Sequence, residues 1–311
     1  MTRHRYSTKL FYKYYLQWIR LYKENAIRPV TLDKYYLVYR QLKKIAPNVH
    51  LNELDRRAYQ SILNQYAKNH EHKTTLDFHH HLKASLVDAV DDGVIERDPS
   101  RRVIIKGRRA KAKKTKFLSL YEAQLLIKQL NLGDEINWDW FILLVAKTGL
   151  RYAEALALTP EDFNFEKQEI TVNKSWDYKS KYGSFQLTKN KSSNRTVMID
   201  WRTASQFKPL IERFSPKQPI FIKPGKRVYN STINSILKRY CRRAGIPIIS
   251  IHGLRHTHAS LLLYEGVSIA SVAKRLGHAN TVTTQQTYLH IIQELENKDN
   301  DKVMQHLSKL V

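Results

Sequence analysis

The sequence predicts a mainly α-helical protein of two domains, with a small antiparallel β insert in the second domain. Over most of the chain, apolar side chains recur at three- and four-residue spacing, which is the period of amphipathic helices. Between residues 169 and 199 the pattern changes to short runs rich in β-branched residues, separated by Gly, Ser and Asn. The chain has 311 residues, 42% of them hydrophobic, which is enough for a core in each of about two domains.

Four helical patterns make up the predicted first domain, residues 1–100. In the first pattern, aromatic residues such as Tyr15 and Trp18 form one stripe, for which packing in the core is the expected role. Thr31 is the predicted cap of the second helix, and Gly93 is placed to close the fourth. The predicted helices are Lys9 to Lys23, Thr31 to Ile45, Asn52 to Ala67 and Lys73 to Ala89.

The charge of the chain points to a polyanionic partner. It carries 53 Lys and Arg against 28 Asp and Glu, a formal net charge of +25. Such an excess attracts phosphates and favours nucleic acid over a membrane, because the basic residues are scattered and no lipidation motif is visible. No apolar run approaches the ~20 residues of a membrane span. The single Cys241 cannot form an intrachain disulfide, so a reducing, cytoplasmic setting is expected.

A strongly basic segment follows the first domain. Residues 106–116 read KGRRAKAKKTK, with seven basic side chains and no acidic one. We interpret residues 101–117 as a linker that contacts the DNA backbone, with a merely solvated tether as the alternative. Its basic residues are Lys106, Arg108, Arg109, Lys111, Lys113, Lys114 and Lys116.

Five histidines cluster on or beside the fourth predicted helix: His70, His72, His79, His80 and His81. Three consecutive positions cannot share one helix face, which argues against a metal site. A solvated or phosphate-facing set is the expectation.

The predicted second domain, residues 118–311, is rich in helices and contains the β insert. Gly149 is placed to end its second helix. The predicted strands, which would form one three-stranded sheet, are Glu169 to Val172, Ser184 to Leu187 and Arg195 to Ile199. The predicted helices are Ser119 to Leu130, Asp139 to Lys147, one from Arg202, Thr232 to Arg243, His252 to Tyr264, Ile269 to Leu276 and Ile291 to Leu310.

Two segments of this domain carry residue types suited to gripping a phosphate. In TGLRYAEAL, at 148–156, Arg151 follows a helix end and Glu154 lies on the same side of a new helical turn. A guanidinium can hold two phosphate oxygens at once, and a carboxylate can keep that fork in place. In HGLRHTHAS, at 252–260, His252 and Arg255 share a face at a helix start, where anions are favoured.

Each of these signals is weak by itself. An Arg and a Glu at this spacing are more often a surface ion pair. The histidines at 252, 256 and 258 could ligate a metal, but no Cys or carboxylate occurs between His252 and Ser260 to complete such a site.

Two further segments complete a recognisable order: LTKNKSSNRTV at 187–197 and LGHANTVTTQQTYLH at 276–290. Together the four resemble the tyrosine site-specific recombinases, the phage-integrase family. The resemblance covers the chain from about Phe117 to its end, and the first domain is similar to that family's helical core-binding domain. The fold it implies is a C-shaped clamp around DNA. Many phage integrases begin with a β-rich arm-binding domain, but no strand-rich segment precedes Lys9, so a shorter type or a truncated form is expected.

The resemblance implies a role for each matching residue. Arg151 and Arg255 would neutralise the scissile phosphate, and Tyr288 would be the nucleophile. His252 would bond a phosphate oxygen or help to take the tyrosine proton, and His278 would bond a phosphate oxygen. Lys189 would be the general acid for the leaving oxygen, although an extended backbone would let Lys191 share its face, so that residue stays open.

The implied reaction needs no metal, ATP or other cofactor. It cleaves and rejoins double-stranded DNA through a 3′-phosphotyrosine and integrates or excises a phage or another mobile element. The implied partners are DNA recombination sites and three further copies of the chain, with accessory DNA-bending or directionality factors as additional candidates. The alternatives are a catalytically silent, sequence-specific DNA-binding protein and a type IB topoisomerase-like nicking and closing enzyme.

Overall fold

The computed structural model describes residues 7–109, 117–180, 182–188, 190–223, 225–289, 291, 304, 307 and 308. The chain divides into two compact units, Met1–Lys113 and Lys114–Val311. The predicted class, mainly α with a small antiparallel β insert, is confirmed. The predicted domain limits at residues 100 and 117 and the clamp shape stay predictions.

The N-terminal unit is a bundle of four helices around an aromatic core. The stripe predicted for the first helix is buried, and the Trp18 indole N–H donates to Asp88 across the bundle at 2.6 Å. The Thr31 cap is wrong, because the second helix already begins at Pro29, whose fixed φ suits the first helical position. The helices are α1 (Phe11–Tyr22), α2 (Pro29–Ile45), α3 (Arg56–Ala67) and α4 (His72–Asp91), with a 3-10 turn at Leu51–Glu53.

The chain after α4 stays attached to this unit through residue 108. Val103 and Ile105 pack against its core. Gln60 of α3 exchanges two hydrogen bonds of 2.8 Å with the backbone of Ile104, and the Arg108 amide donates to the carbonyl of His70. This first part of the predicted linker is therefore fixed against α3 and α4.

The C-terminal unit is built around α6, which is buried from Trp140 to Val145. Asn137 caps this helix by accepting from two of its first amides, and Gly149 ends it at φ +67°, as predicted. The helices are α5 (Leu120–Ile127), α6 (Trp138–Thr148), α7 (Tyr152–Leu156), α8 (Trp201–Ile211), α9 (Asn230–Arg243), α10 (Ile251–Tyr264) and α11 (Ile269–Leu276). A further helical segment covers residues 281–289.

The β insert forms two small antiparallel sheets, so the single three-stranded sheet of the prediction is wrong. The predicted strand near residues 184–187 does not join the first sheet; it pairs with a strand that directly follows the first predicted one. The strands at 169–172 and 174–176 are separated by one residue, Asn173. Their partner strands, at 195–198 and 185–187, are separated by the seven residues 188–194, so the two strand pairs form separate sheets. The strands are β1 (Phe163–Asn164), β2 (Glu169–Val172), β3 (Lys174–Trp176), β4 (Phe185–Leu187) and β5 (Arg195–Met198), in the orders β1-β2-β5 and β3-β4.

The helix at residues 281–289 was missing from the prediction. Its sequence, TVTTQQTYL, has too few apolar residues to show a clear helical period. The predicted helix from Ile291 to Leu310 falls outside the described residues, apart from Ile291, Met304, Leu307 and Ser308. In the described part of the chain, no helix has the length and apolar character needed to cross a membrane.

Candidate active site

Two glycine turns hold the arginines of the site. Gly149 ends α6 and Gly277 ends α11, each at φ +67°. At either turn a Cβ would come closer than 3.0 Å to a side chain, that of His258 or of Arg195 respectively. Glycine is therefore required both for the backbone conformation and for space.

Arg151 and Arg255 are anchored on the carbonyls of these turns. Arg255 is 3% exposed and donates to Gly149 at 2.8 Å and to Leu276 at 2.7 Å. Arg151 donates to the next carbonyl, that of Gly277, at 3.0 Å. The turn before His278 thus brings together the guanidinium groups of Arg151 and Arg255, which are 104 positions apart in the sequence. The two arginines that were predicted to bind one phosphate therefore lie at the same turn.

Glu154 orients Arg151 in the predicted manner. Its carboxylate accepts from the Arg151 guanidinium at 2.7 Å and from the Arg151 amide at 3.0 Å. Its second guanidinium partner is Arg195, at 3.0 Å, which the sequence reasoning missed. Burial would raise the pKa of Glu154, but Arg195 and Arg151 outweigh it and hold that pKa below its usual value.

Arg195 connects three elements of the site. From the start of β5 it reaches Glu154, and its Nε donates to the carbonyl of Arg275 in α11 at 2.6 Å. Its side chain is 5% exposed. It lies inside the LTKNKSSNRTV segment, but its partner Glu154 is 41 residues away. No local pattern reveals that contact.

The arginine cluster carries an excess of positive charge. Among the described residues, Glu154 is the carboxylate that acts on Arg151, Arg195 and Arg255, so three cations share one anion. Burial, and then the neighbouring Arg151, lower the pKa of Arg255 to about 9, which still leaves it protonated at neutral pH. The site is therefore prepared for an anionic ligand.

His252 and His278 lie in the field of these arginines. For both, burial and then Arg255 and Arg151 lower the pKa, to about 4 in His278. Nδ1 of His278 lies 2.8 Å from the buried Thr284 hydroxyl, which fixes the ring. The lowered pKa favours the neutral form of both imidazoles, and a neutral imidazole can donate an N–H to an oxygen without adding charge.

Tyr288 lies beside this cluster, buried to 2% exposure. The hydroxyl oxygen of Tyr288 is 2.9 Å from Nδ1 of His256. Burial raises the pKa of Tyr288, and the positive charge of Arg255 lowers it in part. The structure thus brings Arg151, Arg255 and the predicted tyrosine into one region of one unit. Sequence reasoning considered His256 only as a metal ligand and missed its contact with the phenol.

Residues 116–294 match the Phage integrase family. The chain belongs to this family. The match covers the whole region that contains the arginine turns, the β insert and Tyr288.

Relatives of this phage integrase family member come from several mobile elements and recombination systems. A tyrosine recombinase XerC-like protein of Caldanaerobacter subterraneus is 28% identical over 73% of this chain and 64% of its own length. Transposase A from transposon Tn554 of Staphylococcus aureus is 32% identical over 51% of this chain and 45% of its own length. The matches therefore span less than two thirds of these two relatives. The integrase of Staphylococcus phage L54a is 24% identical over 98% of this chain and 94% of its length.

Solved structures of integrases share the fold of this family member. A Tn1549 transposon integrase in complex with a circular intermediate DNA superposes with a TM-score of 0.74 and 18% identity, over 89% of this chain and 94% of that one. A lambda integrase dimer bound to a core site gives a TM-score of 0.68 and 16% identity, over 90% of this chain and 77% of that one.

The remaining predicted residues of this integrase-family chain have different outcomes. Lys189 lies outside the described residues. Lys191 is exposed and starts a 3-10 turn directly after Asn190, whose backbone is extended. In the predicted linker, Lys106, Arg108 and Arg109 are exposed. The others, Lys111, Lys113, Lys114 and Lys116, lie outside the described residues.

The histidine cluster of the N-terminal unit departs in part from the predicted solvated or phosphate-facing set. His79 is buried, with Nδ1 3.0 Å from the Tyr59 hydroxyl, and burial lowers its pKa to about 4. His70 stacks on Tyr66 at 3.8 Å between ring centroids. Within the described residues, no three His, Cys, Asp or Glu side chains are grouped so that they could hold a metal ion.

Proposed function

We propose that the protein is a site-specific DNA strand transferase, which cleaves and rejoins DNA through a 3′-phosphotyrosine at Tyr288. The observation that carries the proposal is the anchoring of Arg151 and Arg255 on the adjacent carbonyls of residues 277 and 276, in the same unit as the buried Tyr288. Two fixed guanidinium groups, one of which acts electrostatically on the tyrosine hydroxyl, suit attack of that hydroxyl on a phosphodiester.

The charge of the cluster matches the charge that develops in the reaction. Arg151, Arg195 and Arg255 share the single negative charge of Glu154, which leaves an excess of two. A phosphodiester brings one negative charge, and its pentacoordinate transition state carries more on the non-bridging oxygens. The cluster would therefore stabilise the transition state more than the bound substrate, which is the condition for catalysis.

The neutral imidazoles and the lysine complete the reaction. His252 and His278 would donate to phosphate oxygens and orient the pentacoordinate state. As the Tyr288 oxygen bonds to phosphorus, the bond to the sugar 5′-oxygen breaks, and Lys189 would supply the proton that this basic oxygen takes up. One ester replaces another, so a 5′-hydroxyl of a partner strand can later displace the tyrosine and rejoin the DNA.

The relatives support a role in moving DNA elements. Those named above include a transposase and a phage integrase, and two structures of the same fold hold DNA. We infer that four copies assemble on two DNA sites to integrate or excise a mobile element, in the bacterial cytoplasm, with accessory bending or directionality factors as candidate partners. Lys106, Arg108, Arg109 and the basic residues after them would contact the DNA backbone.

Covalent capture tests the proposed function. The protein is incubated with a pool of duplexes that carry a randomised core and one nick, and denatured adducts are recovered, digested and sequenced. We expect a consensus site, joined by its 3′-phosphate to Tyr288. Tyr288→Phe should form no adduct while still binding the pool, because only the hydroxyl is lost. Adducts that persist in this variant would contradict the proposal.

The choice between Lys189 and Lys191 has its own test. We expect Lys189→Ala to lose cleavage of the captured site, and a substrate with sulfur in place of the bridging 5′-oxygen to restore it, since a thiolate leaves without a proton. Lys191→Ala is the matched control and should cleave both substrates at the wild-type rate. Rescue of Lys191→Ala alone would transfer the role of general acid to that residue.

A further inference from the structure

We propose that His256 is the general base of the cleavage step and takes the Tyr288 proton on its Nδ1. The inference rests on the proposed function, because it names the proton acceptor of that same reaction. Nδ1 of His256 lies 2.9 Å from the phenol oxygen. This distance is within the reach that a general base requires.

The surroundings of the phenol explain why a base is needed. Tyr288 packs in a small apolar cluster with Leu263, Val272 and Leu276. Burial raises the pKa of Tyr288 to about 12, although Arg255 lowers it in part. The phenol is therefore neutral and a weak nucleophile until its proton leaves.

One helix places the base beside the phosphate-binding arginine. Arg255 and His256 are neighbours in α10, and their side chains have different partners. Arg255 is held on the carbonyls of Gly149 and Leu276, whereas the His256 ring lies against the Tyr288 ring, with 5.8 Å between centroids. The same helix would thus position both the phosphate and the nucleophile.

His252, the acceptor suggested by the resemblance, is one side chain further from the phenol. Its ring meets the His256 ring edge-on, with 4.8 Å between centroids. Within the described part of the chain, the imidazole that hydrogen-bonds Tyr288 is that of His256. The two histidines would therefore have separate roles. His252 would donate an N–H to a phosphate oxygen, and His256 would accept the proton of the phenol.

The proton balance of the step is complete with these groups. As the bond from the Tyr288 oxygen to phosphorus forms, the O–H bond breaks and the proton moves to Nδ1 of His256. The bond from phosphorus to the 5′-oxygen breaks, and the leaving oxygen takes a proton from the lysine. During rejoining the attacking 5′-hydroxyl gives its proton back to the lysine, and the imidazolium returns its proton to the phenol oxygen. Between cleavage and rejoining, the positive charge of the His256 imidazolium would lie close to the anionic phosphate.

Two substitutions separate a base from a positioning residue. In His256→Asn, an amide oxygen can accept the hydrogen bond of the phenol but cannot take its proton at neutral pH. His256→Ala removes both properties. His50→Asn makes the same chemical change on a half-exposed histidine of the N-terminal unit and serves as the control. Melting temperature and DNA binding are measured for each variant.

Single-turnover cleavage of the site captured with the wild-type protein is the readout. We expect His256→Asn and His256→Ala to cleave about 10²-fold more slowly than the wild type or worse, with His50→Asn unchanged. The substrate with a sulfur leaving group should not restore the rate, because the missing group acts on the phenol. Incorporation of 3,5-difluorotyrosine at position 288 should reduce the difference in cleavage rate between the wild type and the His256 variants, because that phenol loses its proton more readily.

The outcomes distinguish this inference from the proposed function. If the wild-type protein forms no adduct with any duplex, the proposed function fails, and the role of His256 fails with it. If the wild type forms the adduct and His256→Asn cleaves at the same rate, the general-base role alone is overturned. Rescue of His256→Asn by the sulfur substrate would also overturn it, since the defect would then lie at the leaving oxygen.

Discussion

Arg151→Ala should lower the rate of DNA cleavage by about 10²- to 10³-fold, the range found when one charge-stabilising donor is removed from a site. The Arg151 guanidinium reaches the carbonyl of Gly277 and the carboxylate of Glu154, which fixes the fork where a phosphate would lie. DNA affinity should change little, because it is spread over many phosphate contacts of a chain with a net charge of +25.

Arg255→Ala should lower the cleavage rate by the same factor, and here the geometry of the guanidinium is also essential. Its two terminal nitrogens donate to Gly149 and Leu276, and an ammonium group cannot make both contacts in the same plane. Arg255→Lys should therefore also cleave slowly, although the charge is kept. Arg255→Ala would in addition leave two carbonyls without their donor.

Single-turnover cleavage and DNA binding are measured side by side for these variants. Arg213→Ala removes an exposed arginine of the same unit and is the control. Equal losses of binding and cleavage in Arg151→Ala would contradict the account, because the guanidinium would then act in affinity alone.

Glu154→Ala should be the most destabilising substitution in the site, at about 3–5 kcal/mol, since it leaves the buried Arg195 guanidinium without its counter-ion. The side chains of Glu154 and Arg195 are 4% and 5% exposed, so solvent cannot replace the lost carboxylate beside Arg195. Denaturant unfolding measures the effect. Glu161→Ala, at an exposed position of the same unit, should stay within about 0.5 kcal/mol of the wild type. A Glu154→Ala protein as stable as this control would disprove the role of the network.

The ion pairs of Glu154 also predict a pH dependence. Because Arg195 and Arg151 hold the pKa of Glu154 below its usual value despite burial, ionised Glu154 favours the folded state. This stabilisation is fully present above the unfolded-state pKa of about 4.3 and is lost as the pH falls through the lower folded-state pKa. The stability difference between the wild type and Glu154→Gln should therefore shrink in that acidic range. A stability difference that stays constant over that acidic pH range would contradict the proposed contribution of ionised Glu154.

The sequence was informative wherever the signal is local. Helix ends such as Gly149 and the apolar periods of the longer helices need only neighbouring residues. The order of the motifs along the chain predicted roles for Arg151, Arg255 and Tyr288, and composition alone could not have selected Tyr288 among 18 tyrosines. Those roles stay predictions.

What the sequence could not supply are contacts made by the folded chain. Arg195 meets Glu154 across 41 residues, and His256 meets Tyr288 across 32. The strand β4 pairs with β3 and not with the sheet of β2 and β5. His79 is buried with its ring nitrogen 3.0 Å from the hydroxyl of Tyr59 in another helix. Each of these facts needs the tertiary structure, because no run of neighbouring residues encodes it.

The structure of the captured adduct with DNA is the most direct test of the central claim. We expect the 3′-phosphate to be bonded to the Tyr288 oxygen, with the guanidinium groups of Arg151 and Arg255 both within about 3.2 Å of its non-bridging oxygens. A phosphate joined to a different tyrosine, or one that neither arginine touches, would contradict the claim that these three residues act on one ester.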